Sequence, residues 1–306
     1  MELYFAYSDF LKNKYGEKTY KLPVNIPVTC PNRINGGCTF CSEVGTGFEM
    51  LSNNISVSEQ LTQNMEYIRK KYKANKFIAY FQNYTNTFLP FNQFKNYILE
   101  ACQVEGIIEV AISTRPDCIY DEYLDFLYKL SKEYGVNICI ELGLQSINVE
   151  TLRKINRGHG VGDFVDAVQR IAKYEFDICV HMILNLPWDI LEDAIDAAKL
   201  LSALPITQIK LHSLYIAKGT VMAYQYENNE IKICSKEEYI ERAARFLGYL
   251  RKDIAVQRLL GRAPEEETLF CNWGTSWWKI RDDIEEYMIT NNISQGSLRN
   301  YETPKF

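Results

Sequence analysis

Most of this chain alternates between an apolar strand-like run and an amphipathic helical pattern. The strand-like runs are 22–28, 77–82, 107–113, 136–144, 177–184 and 208–214. Helical periodicity fills the stretches near 57–73, 92–103, 121–134, 162–174 and 189–203. Strands separated by helices imply βαβ units and a parallel sheet. Right-handed crossovers then leave two outcomes, a flat doubly wound sheet or a curled part of a barrel.

The two faces of the strands decide between them. In 138–145, Ile138, Ile140, Leu142 and Leu144 alternate with Cys139, Glu141, Gly143 and Gln145. Ile178, Val180 and Met182 alternate with Cys179 and His181, and Ile209 and Leu211 with Lys210 and His212. A parallel strand covered by helices on both sides is apolar on both faces. Burying one polar face strand after strand against helices would cost several kcal/mol per unpaired group. A lumen holding a polar ligand satisfies those groups. The expected architecture is therefore α/β: an open partial (β/α)6 TIM-type barrel with a C-terminal α/β extension. The expected divisions are an N-terminal segment 1–21, the barrel 22–220 and an extension 221–306. Within the extension, helices are expected near 235–251 and 276–291 and a strand at 254–259. Trp273, Trp277 and Trp278 open the last helix, where packing onto the barrel is the expected role.

A hydrophobic content of 47% and a charged content of 24% suit a globular chain. No apolar run approaches the roughly 20 residues that cross a bilayer. The N-terminus lacks a signal-peptide pattern, so a cytoplasmic location is expected. In that compartment nine cysteines are buried thiols or metal ligands rather than a disulfide framework. A net charge of −5 argues against indiscriminate nucleic-acid binding. The basic runs Lys12, Lys14, Lys18, Lys21 and Arg69, Lys70, Lys71, Lys73 read as solvated faces or as a local patch for an acidic partner.

Directly after the first strand comes CPNRINGGCTFC, residues 30–41. The pair Cys38 and Cys41 has the bite for one metal group, and Cys30 loops back as a third thiolate. Three thiolates on a [4Fe–4S] cluster leave one iron open to a further ligand. Zinc is the rival reading and would want a fourth ligand, for which Glu43 or Glu49 is near. Unconnected structural thiols are the bland reading. Placement at the C-terminal end of a barrel strand favours chemistry.

Further segments extend the pattern: YFQNYTNT at 80–87, STRPDC at 113–118, ELGLQS at 141–146, INRGH at 155–159, MILNLP at 182–187, HSLYIAKGT at 212–220 and QRLLGRAP at 257–264. With the cysteine loop, they make the chain resemble the YtqA/YhcC branch of radical S-adenosylmethionine (SAM) proteins, relatives of the Elongator catalytic subunit. The cysteine loop is shorter than is usual there. Asn185, Trp188 and Asp189 stand in a segment that is typically Gly-Leu-Pro-Gly-Glu.

The resemblance implies a [4Fe–4S] cluster on Cys30, Cys38 and Cys41, and SAM cleaved to a 5′-deoxyadenosyl radical. It implies SAM contacts from Gln82 and Thr85, a SAM carboxylate on Arg115 and ribose hydroxyls on Glu141. His181, Lys210 and His212 share the lumen face and are the candidates for substrate binding or proton transfer. The implied substrate is tRNA, with a wobble-uridine carboxymethylaminomethyl group converted to aminomethyl. A small metabolite or peptide substrate and a non-catalytic Fe–S redox module are the other readings. An electron donor such as flavodoxin or ferredoxin is the implied protein partner. His159 reads as a loop residue without chemistry, and Cys118 as a lone thiol near the site.

Overall fold

The computed structural model describes residues 2–42 and 50–299. Glu43 and Glu49, weighed above as zinc ligands, lie outside the described residues. Helix α1 (Tyr7–Tyr15) precedes β1 (Thr19–Val24). Helix α2 (Val57–Tyr72) leads into β2 (Lys76–Phe81), α3 (Phe91–Cys102) into β3 (Ile107–Thr114), and α4 (Asp121–Tyr134) into β4 (Asn137–Gln145). A short α5 (Val149–Lys154) and then α6 (Val161–Ala172) lead to β5 (Asp177–Ile183), and α7 (Leu191–Ala203) leads to β6 (Gln208–His212). After these come β7 (Ile216–Ala217), α8 (Val221–Glu227), α9 (Lys236–Tyr249), β8 (Ala255–Arg258), β9 (Thr268–Phe270) and α10 (Trp277–Thr290). No helix among the described residues is long and apolar enough to cross a membrane.

The helices form where the sequence carries a stripe and a cap. Helix α6 buries Phe164, Ala167, Val168 and Ile171, the i, i+3, i+4, i+7 face. Helix α9 begins with a capping box, Ser235 accepting from the Glu238 amide while the Glu238 side chain takes the Ser235 amide.

Seven strands make one parallel sheet in the order β1-β2-β3-β4-β5-β6-β8. The strand at 255–258 is therefore a seventh stave of the sheet, added beside β6 by a parallel crossover through α9. The sheet is curled. Lys21 on one edge strand reaches Gln257 beside the other edge at 3.1 Å, and Lys210 on β6 reaches the Tyr80 hydroxyl on β2 at 2.9 Å. Outward residues such as Ile138, Ile140, Ile178, Val180 and Ile209 pack under the helices in one core.

The inward face carries the polar rows expected from the sequence. From the strands' N-terminal end upward, Glu109 is followed by Tyr80, Ala111, Cys139 and Asp177. Above them come Ser113, Glu141, Cys179 and Gln208, and then Gly143, His181, Lys210 and Arg258.

Helix α1, not anticipated from the sequence, corks the lower lumen. Its Leu11 is 4% exposed and packs with Ile78, Tyr80, Ala111, Cys139 and Cys179. Lys14 pairs with Glu109 and Asp177, and Tyr15 donates to Glu109. A segment of the chain itself, rather than a ligand, thus satisfies the lower polar rows. The cork is tied to the far end of the chain. The Val256 amide donates to the Phe5 carbonyl (2.8 Å), the Gln295 amide to that of Leu3 (2.8 Å), and the Tyr4 hydroxyl to Glu285 (2.9 Å).

The basic runs separate. Lys14 and Lys21 point into the lumen, where carboxylates take them. Arg69, Lys70 and Lys71 sit in the last turn of α2. A helix feeding a parallel strand ends at that strand's N-terminal edge, so they lie at the end of the barrel opposite the cysteine loop.

Candidate active site

The cysteine loop follows the C-terminal end of β1. It makes one short 3-10 turn over Pro31–Asn35, then reverses through Gly36 and Gly37, whose φ values of 85° and 73° suit glycine. What holds it is the INRGH segment. Asn156 donates from Nδ2 to the carbonyls of Asn35 (2.8 Å) and Gly37 (2.7 Å), and Asn32 donates back to the Asn156 carbonyl at 2.6 Å. The Thr39 amide takes the Ile155 carbonyl at 3.0 Å.

Two guanidinium groups reach the sulfurs through this clamp. Arg157 Nη1 lies 3.4 Å from Cys38 Sγ while its Nη2 donates to the Gly143 carbonyl at 2.6 Å. Arg115 Nη1 lies 4.0 Å from Cys30 Sγ and 2.9 Å from the Arg157 carbonyl. Asn32 Nδ2 is 3.5 Å from Cys38 Sγ. Two glycines make room: a Cβ on Gly143 would come 2.7 Å from Arg157 Nη2, and one on Gly158, at φ 76°, 2.4 Å from Asn32 Oδ1. Arg157, Asn156 and Asn32 were not singled out from the sequence. The signal for them was the Asn-Arg-Gly run directly after a helix, with Asn156 in the left-handed region.

The expected site residues divide. Arg115 has its fork committed: Nε and Nη2 meet Asp117 at 2.9 and 2.8 Å. It is 4% exposed, and Asp117 holds the fork that the sequence reading assigned to a carboxylate of SAM. Gln82 lines the central cavity, whereas Thr85 is 1% exposed and sits behind that wall, its carbonyl accepting from the Phe88 amide. His159 is buried, and burial with Arg157 and Arg115 nearby lowers its pKa to about 3. Cys118 is buried beside Asp117, and burial pushes its thiol up to about 11.

Glu141, His181, Lys210 and His212 come together. Glu141 is fully buried and receives Lys21, Lys210 (2.7 Å) and His181 Nε2 (2.7 Å). Both oxygens are thereby engaged, and Glu141 organises the lumen around it. Burial alone would raise its pKa. Lys21, Lys210 and His181 outweigh burial and hold it well below the usual carboxylate range. Burial and Lys210 lower His181 to about 4, so its imidazole is neutral and donates to Glu141. Burial lowers Lys210 to about 8 although Glu141 opposes the shift. Burial and Arg258 hold His212 well below its ordinary value, and Arg258 Nη2 donates to His212 Nδ1 at 2.6 Å. Ligand atoms of Glu141, Cys179 and His181 lie within 4.8 Å of one another. Two ammonium groups already hold that carboxylate, so a metal cation would have to displace them.

This cluster forms the floor of a cavity of about 1670 Å³, ample for a cofactor and a substrate together. Phe40 of the cysteine loop lines the cavity on one side. On another side the wall is Arg258, Arg262 and Trp277. Trp277 carries the Arg262 guanidinium 3.8 Å from its ring centre and Arg281 at 5.7 Å. Trp273 instead packs inward, donating to the Cys234 carbonyl at 2.8 Å.

Residues 24–201 match the radical SAM superfamily, and residues 206–290 match a radical SAM C-terminal domain. An uncharacterized protein of Methanocaldococcus jannaschii, MJ0486, is 34% identical over 96% of this chain and 92% of its own length. The uncharacterized protein YtqA of Bacillus subtilis is 29% identical over 96% of this chain and 92% of its own. Among solved structures, the archaeal Elp3 of Methanocaldococcus infernus, lacking its N-terminus, superposes with a TM-score of 0.70 at 18% identity. That superposition covers 90% of this chain and 64% of the archaeal one, and it shows a shared fold.

Proposed function

This chain belongs to the radical SAM superfamily, and from that premise we propose that it modifies a wobble uridine of tRNA, converting carboxymethylaminomethyl to aminomethyl. The family uses a [4Fe–4S] cluster and SAM, and the residues here fit the cluster. Three thiols share one loop, and cationic donors from Arg115 and Arg157 face two of the sulfurs, as an anionic group requires. When bound, the pair supplies reductive cleavage of the sulfonium to methionine and a 5′-deoxyadenosyl radical able to abstract hydrogen.

The chain's own groups do the rest. Cys30, Cys38 and Cys41 would hold the cluster, and Gln82 in the cavity wall is the residue proposed to meet the amino group of SAM. The neutral imidazoles of His181 and His212 position Glu141 and Arg258. Lys210, with its pKa near 8, is the group able to exchange a proton with substrate near neutral pH. Cys41 and Ile34, the latter 83% exposed, lie on the open side of the loop, where an electron donor of the flavodoxin or ferredoxin kind would approach.

The observation that carries the nucleic-acid reading is Trp277 between Arg262 and Arg281 on the cavity wall. An aromatic ring flanked by guanidinium groups suits a base splayed out of single-stranded RNA, with its phosphates alongside. The test is nucleoside analysis of tRNA from a deletion strain. Accumulation of carboxymethylaminomethyl-uridine is expected, and an unchanged nucleoside profile sinks the reading. In the reconstituted enzyme, Cys38→Ala is expected to abolish both the cluster absorbance and 5′-deoxyadenosine release.

A further inference from the structure

The upper lumen holds three cationic side chains, Lys21, Lys210 and Arg258, around a single carboxylate among the described residues, Glu141. Lys21 and Lys210 both bind that carboxylate. Arg258 does not; its hydrogen-bond partner is the neutral ring of His212, and no carboxylate among the described residues forms an ion pair with it. Yet Lys210 and Arg258 are register partners on adjacent strands, so both project into the lumen on one row. Arg258 also lines the cavity. Neighbouring cations on one cavity wall want an anion, and the planar guanidinium of Arg258, exposed to the cavity, fits a carboxylate through two parallel hydrogen bonds. Phe40 of the cysteine loop lines the same cavity as Arg258.

Resting on the wobble-uridine reading, we propose that Arg258 receives a carboxylate carried on the substrate base, with Lys210 beside it completing the anion site. The amine of the same side chain would then lie between this anchor and the cysteine loop. Arg262, stacked on Trp277, belongs to the outer wall and is left to the ribose–phosphate backbone.

The test uses anticodon stem-loop RNA carrying carboxymethylaminomethyl-uridine and the same RNA with the carboxylate capped as an amide. Each is titrated, without reductant, against enzyme loaded with cluster and SAM, and binding is followed by fluorescence anisotropy. Wild type is expected to prefer the free carboxylate by about 10- to 100-fold, the range of a charged hydrogen bond. Arg258→Gln should erase that preference, Arg258→Lys should keep part of it, and the affinity for SAM should stay unchanged. Equal weakening toward both RNAs, or loss of SAM affinity in Arg258→Gln, overturns the proposal. If wild type binds neither RNA, the wobble-uridine reading fails, and the anion site is read separately by arginine side-chain NMR. The Nε–H signal that vanishes in Arg258→Lys should then shift with N-methylglycine and not with its amide; equal response to the two probes overturns the site.

Discussion

Glu109 and Glu141 stand on neighbouring strands, both fully buried and both facing the lumen, yet their surroundings drive them in opposite directions. Glu109 lies in the corked lower half, with Lys14 and the Tyr15 hydroxyl as its partners and Asp177 competing for the same lysine. Burial dominates there and raises its pKa despite Lys14. Glu141 lies one storey higher, where burial is outweighed by Lys21, Lys210 and His181, and it stays ionised. One residue type on one face thus serves two purposes. In the lower storey the chain supplies its own countercharges and closes the space. In the upper storey it supplies more positive charge than it consumes and leaves the space open.

The largest expected effect comes from breaking the upper half. Glu141→Gln strands Lys21 and Lys210 without a countercharge, and breaking such a buried pair costs about 3–5 kcal/mol; urea unfolding would measure it. Glu109→Gln removes a group that burial already pushes toward its protonated form, and the expected loss is within about 1 kcal/mol. Equal losses in the two variants would erase the contrast.

Uncorking the lower half comes next. Leu11→Ala removes a nearly fully buried side chain from the lumen and is expected to cost about 2–4 kcal/mol. SAM affinity should be kept if the two storeys are independent.

The opposite pKa shifts predict opposite acid behaviour. Glu141, depressed below its unfolded value, contributes stability that is present above the unfolded pKa and lost as pH falls through the folded one. Glu109, raised above its unfolded value, contributes a term that declines as pH rises from the unfolded pKa through the folded one. Wild type minus Glu141→Gln should therefore lose its stability advantage in acid, and wild type minus Glu109→Gln should gain in acid.

The smallest effect is a pH profile. Because burial and Lys210 lower His181 to about 4, and burial lowers Lys210 to about 8, stem-loop binding should show no inflection near the ordinary histidine pKa. It should weaken as pH rises through about 8, where Lys210 loses its charge. An inflection near 6.5 instead would mean that a histidine carries the charge.

The fold was legible because strand alternation and helix periodicity are local signals. Ile138, Ile140, Leu142 and Leu144 announced an outward face, and Cys139, Glu141 and Gly143 an inward one. The seventh stave was read as part of an extension, since four residues, Ala255–Arg258, carry too little alternation to declare their neighbour. Helix α1 was missed because only Leu11 among its residues is buried, too thin an apolar stripe to announce a helix, and its place is set by contacts with distant strands. That Cys30, Cys38 and Cys41 share one loop after the first strand was legible in the sequence. The clamp was not, since Asn32, Asn156 and Arg157 act over more than a hundred residues of sequence. The type and strand-end position of Arg115 suggested a partner for a carboxylate, but not that Asp117, two residues on, would meet its fork.

The seam between the chain's first and last residues has a consequence in time. Leu3, Tyr4 and Phe5 precede their partners Val256, Glu285 and Gln295 by about 250 to 290 residues, so they are synthesised well before them. The cork therefore cannot be fastened until residues 256–295 have been made, and until then the lower lumen lacks that tie while strands β1 to β6 already exist. The topology therefore ties the last stave and the seal together: both wait on Val256.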